Sequence, residues 1–126
     1  MVGERKSVLC IDDYETAAAG WCLFLQSVGY AVTTAFTAQE GLHLFATSPV
    51  DLVMLDYAMP DLNGGEVAAT MKRIKPHVPI LLFSGLSQVP DPTLVHVDAF
   101  LQKGVAPATV LEKIKDLLGH TADRLD

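Results

Sequence analysis

The sequence has no apolar run approaching the roughly 20 residues that a membrane-spanning helix needs. Its opening, "MVGERKS", shows no signal-peptide core or cleavage site before the first short strand. Cysteine is scarce. The two present, Cys10 and Cys22, lack metal-ligand spacing and sit in apolar surroundings, so two buried thiols are expected. Positive charge is in deficit, with 9 Lys and Arg against 15 Asp and Glu and a formal net charge of −6. That balance argues against nonspecific binding to nucleic acid or to an anionic membrane surface. The longest basic cluster, "MKRIK" (71–75), reads as a solvated helix face. His43, His77, His96 and His120 are scattered without ligand spacing and are assigned no role. No internal repeat, linker or low-complexity stretch occurs. Together these absences point to a soluble cytoplasmic protein with reduced thiols.

What is present is a core-forming composition. Half of the 126 residues are hydrophobic and 19% are charged, which suits one globular domain. Five short apolar runs read as strands: "SVLCI" (7–11), "YAVTTA" (30–35), "DLVMLD" (51–56), "PILLFS" (79–84) and "VDAFL" (97–101). Near-continuous apolar character predicts strands covered on both faces, with the more mixed second run at an edge.

Helical spacing fills the gaps. Residues 14–28 place Ala17, Trp21, Phe24, Leu25 and Val28 on one stripe, ended by Gly29 in a left-handed cap. The stretch "AAAGWCLFL" (17–25) reads first as core packing; Ala19 and Leu23 lie off the stripe, and the alternative reading is extra apolar surface for a docking kinase or other partner. Thr37 with Glu40 predicts a capping box for a helix to about Thr47. Asn63 caps a helix to about Lys75, stopped by Pro76. The last helix is expected from about Pro107 to Leu118, on the face Val110, Leu111, Ile114, Leu117 and Leu118, with Gly119 as its stop. The core is thus expected over about 7–119, with a frayed tail at 120–126. Pro90 and Pro92 leave only a loop with a short, irregular fourth helix at 85–97. Alternating strands and helices predict an α/β fold with a parallel sheet, helices on both faces and right-handed crossovers. Ligands bind such sheets at the carboxyl ends of the strands.

Those ends carry the chemistry. Asp12 and Asp13 follow the first strand, Asp56 ends the third, Ser84 ends the fourth and Lys103 follows the fifth. An isolated aspartate after a strand is commonly a turn former, and a lone lysine is commonly solvated. Their coincidence at one edge is harder to assign to turns alone. Three carboxylates in one crevice stay ionised only if a cation compensates them. Oxygen-only ligands without His or Cys suit a hard ion, and a small site open to water suits Mg²⁺. A hydroxyl and an ammonium beside it are the groups required around a phosphoryl oxygen. A carboxylate can itself attack phosphorus.

With "DD" at 12–13, "LDYAMPDLNG" at 55–64, "FSG" at 83–85 and "FLQKG" at 100–104, in that order, the chain resembles a response-regulator receiver domain of two-component signalling over essentially its whole length. The resemblance implies a single receiver domain over 1–126, a flavodoxin-like (βα)5 three-layer sandwich with strand order 2-1-3-4-5. It implies that Asp56 is the phosphoacceptor and that Asp12, Asp13, Asp56 and the backbone carbonyl of Ala58 hold Mg²⁺. Ser84 and Lys103 would bind phosphoryl oxygens, and Phe100 would be the aromatic switch residue or simply core. The implied donor is a histidine kinase or histidine phosphotransfer protein. The implied target is a downstream protein or fused output domain.

There are departures from the family pattern. Gly104 stands where the family usually has proline, after a bond that is typically cis there. The stretch between Ser84 and Lys103 is shorter than usual, which argues against the usual dimer surface. Ala58 and Leu86 occupy the two positions that tune hydrolysis in relatives. Both are apolar and cannot orient water, so slow self-dephosphorylation is expected. Two other classes stay open: a receiver-like interaction module that works without phosphate, and a Mg²⁺-dependent phosphatase with an aspartate nucleophile. The second is disfavoured by Ala58, which stands where such enzymes often carry a second aspartate. A switch rather than a turnover enzyme is expected.

Overall fold

The structure, a computed structural model, describes residues 5–89 and 91–123. Strands β1 (Ser7–Ile11), β2 (Ala31–Ala35), β3 (Leu52–Asp56), β4 (Ile80–Ser84) and β5 (Ala99–Gln102) alternate with helices α1 (Glu15–Ser27), α2 (Ala38–Thr47), α3 (Gly64–Ile74), α4 (Asp91–Leu94) and α5 (Pro107–Asp123). The strands form one parallel sheet in the order β2-β1-β3-β4-β5.

Strand periodicity divides the core in two. Leu9, Ile11, Val53, Leu55, Ile80 and Leu82 pack with Phe45, Val67 and Met71 of α2 and α3. Their sequence neighbours Val8, Cys10, Leu52, Met54, Leu81 and Phe83 face the other way, onto Leu25 of α1 and Val110 and Ile114 of α5. Continuous apolar runs are therefore required, because every residue of β1, β3 and β4 meets a covered face. Each fully buried Leu, Ile or Phe contributes roughly 1.5–3 kcal/mol of transfer free energy.

Local chemistry ends α1 and opens α3 where the sequence indicates. Gly29 takes φ +105° after α1, and Gly29 N–H donates to Gln26 O while Tyr30 N–H donates to Leu25 O. This is a Schellman motif, and the positive φ suits glycine. Asn63 and Glu66 form a full capping box at α3. At α2 only half of the expected box forms. Thr37 Oγ1 accepts Glu40 N–H, but Glu40 Oε1 accepts Phe36 N–H, one residue before the cap.

Other expectations are corrected. Helix α5 passes through Gly119 to Asp123, so the helical part of the chain does not stop at residue 119. Gly119 has no positive φ, and a glycine inside a helix costs only about 1 kcal/mol. Of the tail expected at 120–126, residues 124–126 lie outside the described residues. Strand β5 begins at Ala99 rather than residue 97. Asp98 instead turns its carboxylate back to accept Ile80 N–H at 2.7 Å and to pair with Lys72 at 2.8 Å. The basic cluster is therefore anchored rather than merely solvated, and Lys75 also lies over the Phe45 ring at 5.2 Å. Val28 is the half-exposed C-cap of α1, and Cys22 is half-buried while Cys10 is fully buried. Leu23 is exposed, as its position off the apolar stripe predicts. The fourth helix is a single turn.

Candidate functional site

The sheet order places β1, β3, β4 and β5 side by side, so four strand ends line one edge. The register is stepped. Ile11 pairs with Leu55, Asp56 with Phe83 and Ser84 with Gln102. Asp12, Asp56, Ser84 and Lys103 consequently follow one another along the edge. Asp12, Asp56 and Lys103 continue the alternation of Cys10, Met54 and Leu101 and fall on the α1/α5 side. Ser84 continues that of Leu82 and falls on the other side, as does Phe100.

The carboxylates of Asp12, Asp13 and Asp56 each bring an oxygen within 4.8 Å of the others. Asp12 and Asp56 are buried, and Asp13 is exposed. Asp12 Oδ1 accepts Tyr14 N–H at 2.9 Å, which fixes the turn into α1. Lys103 Nζ lies 3.0 Å from Asp56 Oδ1, an ion pair whose approach leaves that buried oxygen without an aligned hydrogen bond. Burial pushes the Asp56 carboxyl above its ordinary pKa. The Lys103 ammonium and the Ala58 N–H pull it down, and Asp12 adds a smaller upward push. Burial, and then the nearby Asp12, raise the Cys10 thiol to about 12, so this cysteine is inert as a nucleophile.

Ser84 is buried, and its Oγ accepts Leu86 N–H at 3.0 Å. Lys103 N–H donates to Ser84 O at 2.8 Å, so the two residues are tied through the backbone. Phe100 is half-buried against the α2/α3 core and packs as a core side chain here. Ala58 and Leu86 are both exposed. The described residues contain no cis peptide bond, and Gly104 takes φ +100°. A glycine therefore makes the turn after Lys103 by a left-handed conformation.

One supporting residue is missed by reading the sequence. Asp61, in the loop after β3, accepts Ala38 N–H and Gln39 N–H at 3.1 Å each and so caps α2 from 23 residues away. Desolvation opposes ionisation there, but these N–H groups outweigh it and hold the carboxyl below its ordinary range. No local motif marks a cap supplied at such a separation.

Three converging carboxylates with only oxygen donors fit Mg²⁺, and the lysine beside them can neutralise one further negative group. The cluster lies at the carboxyl ends of β1 and β3, the switch point of the strand order, where doubly wound α/β sheets bind their ligands. The chain belongs to the response regulator receiver domain family, whose model matches residues 8–115. The transcriptional regulatory protein GlrR of Escherichia coli K12 is 30% identical over 122 residues, covering 94% of this chain and 28% of GlrR. The alkaline phosphatase synthesis regulator PhoP of Bacillus subtilis is 30% identical over 117 residues, covering 90% of this chain and 49% of PhoP. The chain thus spans half or less of the length of these curated relatives.

Solved structures agree. A CheY-like receiver domain from Methanospirillum hungatei superposes with a TM-score of 0.91 at 26% identity, covering 96% of this chain and 99% of that one. TrrA of Thermotoga maritima, solved in complex with Mg²⁺–BeF, gives 0.85 at 32% identity, covering 90% and 99%. The structure of the histidine kinase ThkA in complex with TrrA gives 0.83 at 32% identity, covering 90% and 98%.

Proposed function

We propose that this chain, as a single receiver domain in the cytoplasm, accepts a phosphoryl group on Asp56 and passes the change to a protein target or fused output domain. The observation that carries the reading is the convergence of Asp12, Asp13 and Asp56, with Lys103 3.0 Å from Asp56. A histidine kinase or histidine phosphotransfer protein is the donor, as the complex of TrrA with ThkA supports. The Asp56 carboxylate oxygen bonds to phosphorus as the bond from phosphorus to the donor nitrogen breaks. Asp12, Asp13, Asp56 and the Ala58 carbonyl would hold Mg²⁺, which would supply charge neutralisation for the phosphoryl oxygens. Lys103 moves its ion pair from the carboxylate to a phosphoryl oxygen, and the Ser84 hydroxyl donates to another. Phe100 then changes its packing as the switch residue.

Phosphorylation adds about −1.5 to −2 charge, and the Lys103 ammonium offsets part of it. The exposed side chains of Ala58 and Leu86 offer no group to orient an attacking water. The phosphoryl group is therefore long-lived, and a half-life of seconds without a phosphatase would contradict this.

The deciding experiment is incubation with Mg²⁺ and a small acyl-phosphate donor, followed by intact mass. A stable gain of one phosphoryl group, absent in Asp56→Asn, supports the switch. Continuous phosphate release supports an aspartate-nucleophile phosphatase instead. An unmodified mass even with an active kinase supports a phosphate-independent module.

A further inference from the structure

We propose that the acidic edge opens inward onto a second site, one that binds a small aromatic ammonium. On the α1/α5 side of the sheet a cavity of about 240 Å³ lies beneath the crevice. Asp12, Asp56 and Lys103 form its polar end, and Cys10, Trp21, Met54 and Phe83 form much of its body. The arrangement follows from strand alternation. Cys10 and Met54 precede Asp12 and Asp56 by two residues on the same face, so the carboxylates stand directly above apolar walls.

Those walls are largely buried. Cys10 and Met54 are 2% exposed, and Phe83 is 7% exposed. The Trp21 and Phe83 rings lie 5.9 Å apart, inclined at 37°. Walls of aromatic and sulfur-bearing side chains favour an aromatic guest. A dry cavity of about 150 Å³ admits benzene, so this volume holds one ring with a short substituent.

Charge selects the substituent. Lys103 neutralises Asp56 across 3.0 Å, and Asp12 and Asp13 remain as surplus negative charge. Tyr14 N–H engages only one oxygen of Asp12. A cationic head is favoured there and a carboxylate is repelled. The ring occupies the cavity and the ammonium meets Asp12, one of the carboxylates assigned to the metal. The aryl cation and Mg²⁺ therefore exclude one another, and this competition alone rests on the metal reading above.

The test is titration of the metal-free protein with benzylamine, followed by fluorescence of Trp21, the single tryptophan. A saturable change with a dissociation constant in about the millimolar range or tighter is expected for so small a ligand. Benzoate and benzyl alcohol should bind at least about tenfold more weakly, because neither carries the cation. Ala17→Phe and Val105→Phe line the same cavity away from the carboxylates. Either variant should abolish benzylamine binding and leave Mg²⁺ binding, read by calorimetry, unchanged. The proposal is overturned by the absence of saturation, by equal binding of the three ligands, or by benzylamine binding that survives both fillings. Saturation that Mg²⁺ fails to displace upholds the cavity site and counts against the metal assignment instead.

Discussion

Single side chains set the electrostatics of this site, and two of them give opposite responses to pH. Asp61 holds its proton less tightly when folded, because it accepts two N–H groups at the start of α2. The stability it contributes is present above the ordinary carboxylate pKa and is lost as pH falls through the lowered folded value. Asp61→Ala should therefore melt below the parent at neutral pH, and the gap should narrow only as pH falls below the ordinary carboxylate pKa. A gap that persists in acid would show that packing, not the cap, is responsible. Asp56 is the reverse case. Its folded pKa is raised, so the native chain binds the proton more tightly, and stability falls as pH rises from the ordinary value through the raised one. Without divalent metal, Asp56→Asn should melt a few degrees higher than the parent at neutral pH, with the difference vanishing near about pH 4. An equal or lower melting temperature at neutral pH would rule out the burial argument.

At the scale of elements, the turns determine whether the strand ends can deliver their side chains. Gly29 and Gly104 both adopt left-handed φ, +105° and +100°, and neither would place a Cβ against a neighbour. Alanine at either position is expected to cost about 1 kcal/mol from backbone strain alone. Their functional consequences should differ. Gly29→Ala lies at the far end of α1 and should leave acyl-phosphate labelling unchanged. Gly104→Ala adjoins Lys103 and should slow labelling as well as destabilise. Equal labelling by both variants would show that the turn does not position the ammonium. In the sequence, Gly104 in place of proline leaves the placement of Lys103 open between a trans bond and an unusual glycine geometry. In three dimensions the left-handed turn does the work, and Lys103 stays beside Asp56.

The whole molecule is a sheet whose covered faces leave one edge for chemistry. Binding of Mg²⁺ to the native state alone should raise the melting temperature by mass action, worth about 2.7 kcal/mol when the ion is at 100 times its dissociation constant. Asp13 is exposed, so Asp13→Asn should leave the metal-free melting temperature nearly unchanged while removing much of the Mg²⁺-dependent rise. A rise that survives this change would place the ion elsewhere.

The sequence by itself determined the strands, most helix ends and which polar residues stand at strand ends, because periodicity and capping are local. It determined Asp12, Asp13, Asp56, Ser84 and Lys103 as one candidate set, because a parallel α/β sheet puts its carboxyl ends together. Only the tertiary structure decided the stepped register, the cap that Asp61 supplies to α2, the turn at Gly104 and the continuation of α5 past Gly119. It alone also decided that Trp21 and Phe83 enclose space beneath the carboxylates. Each of these depends on groups far apart in the chain or on a backbone angle, and neither is written in local spacing.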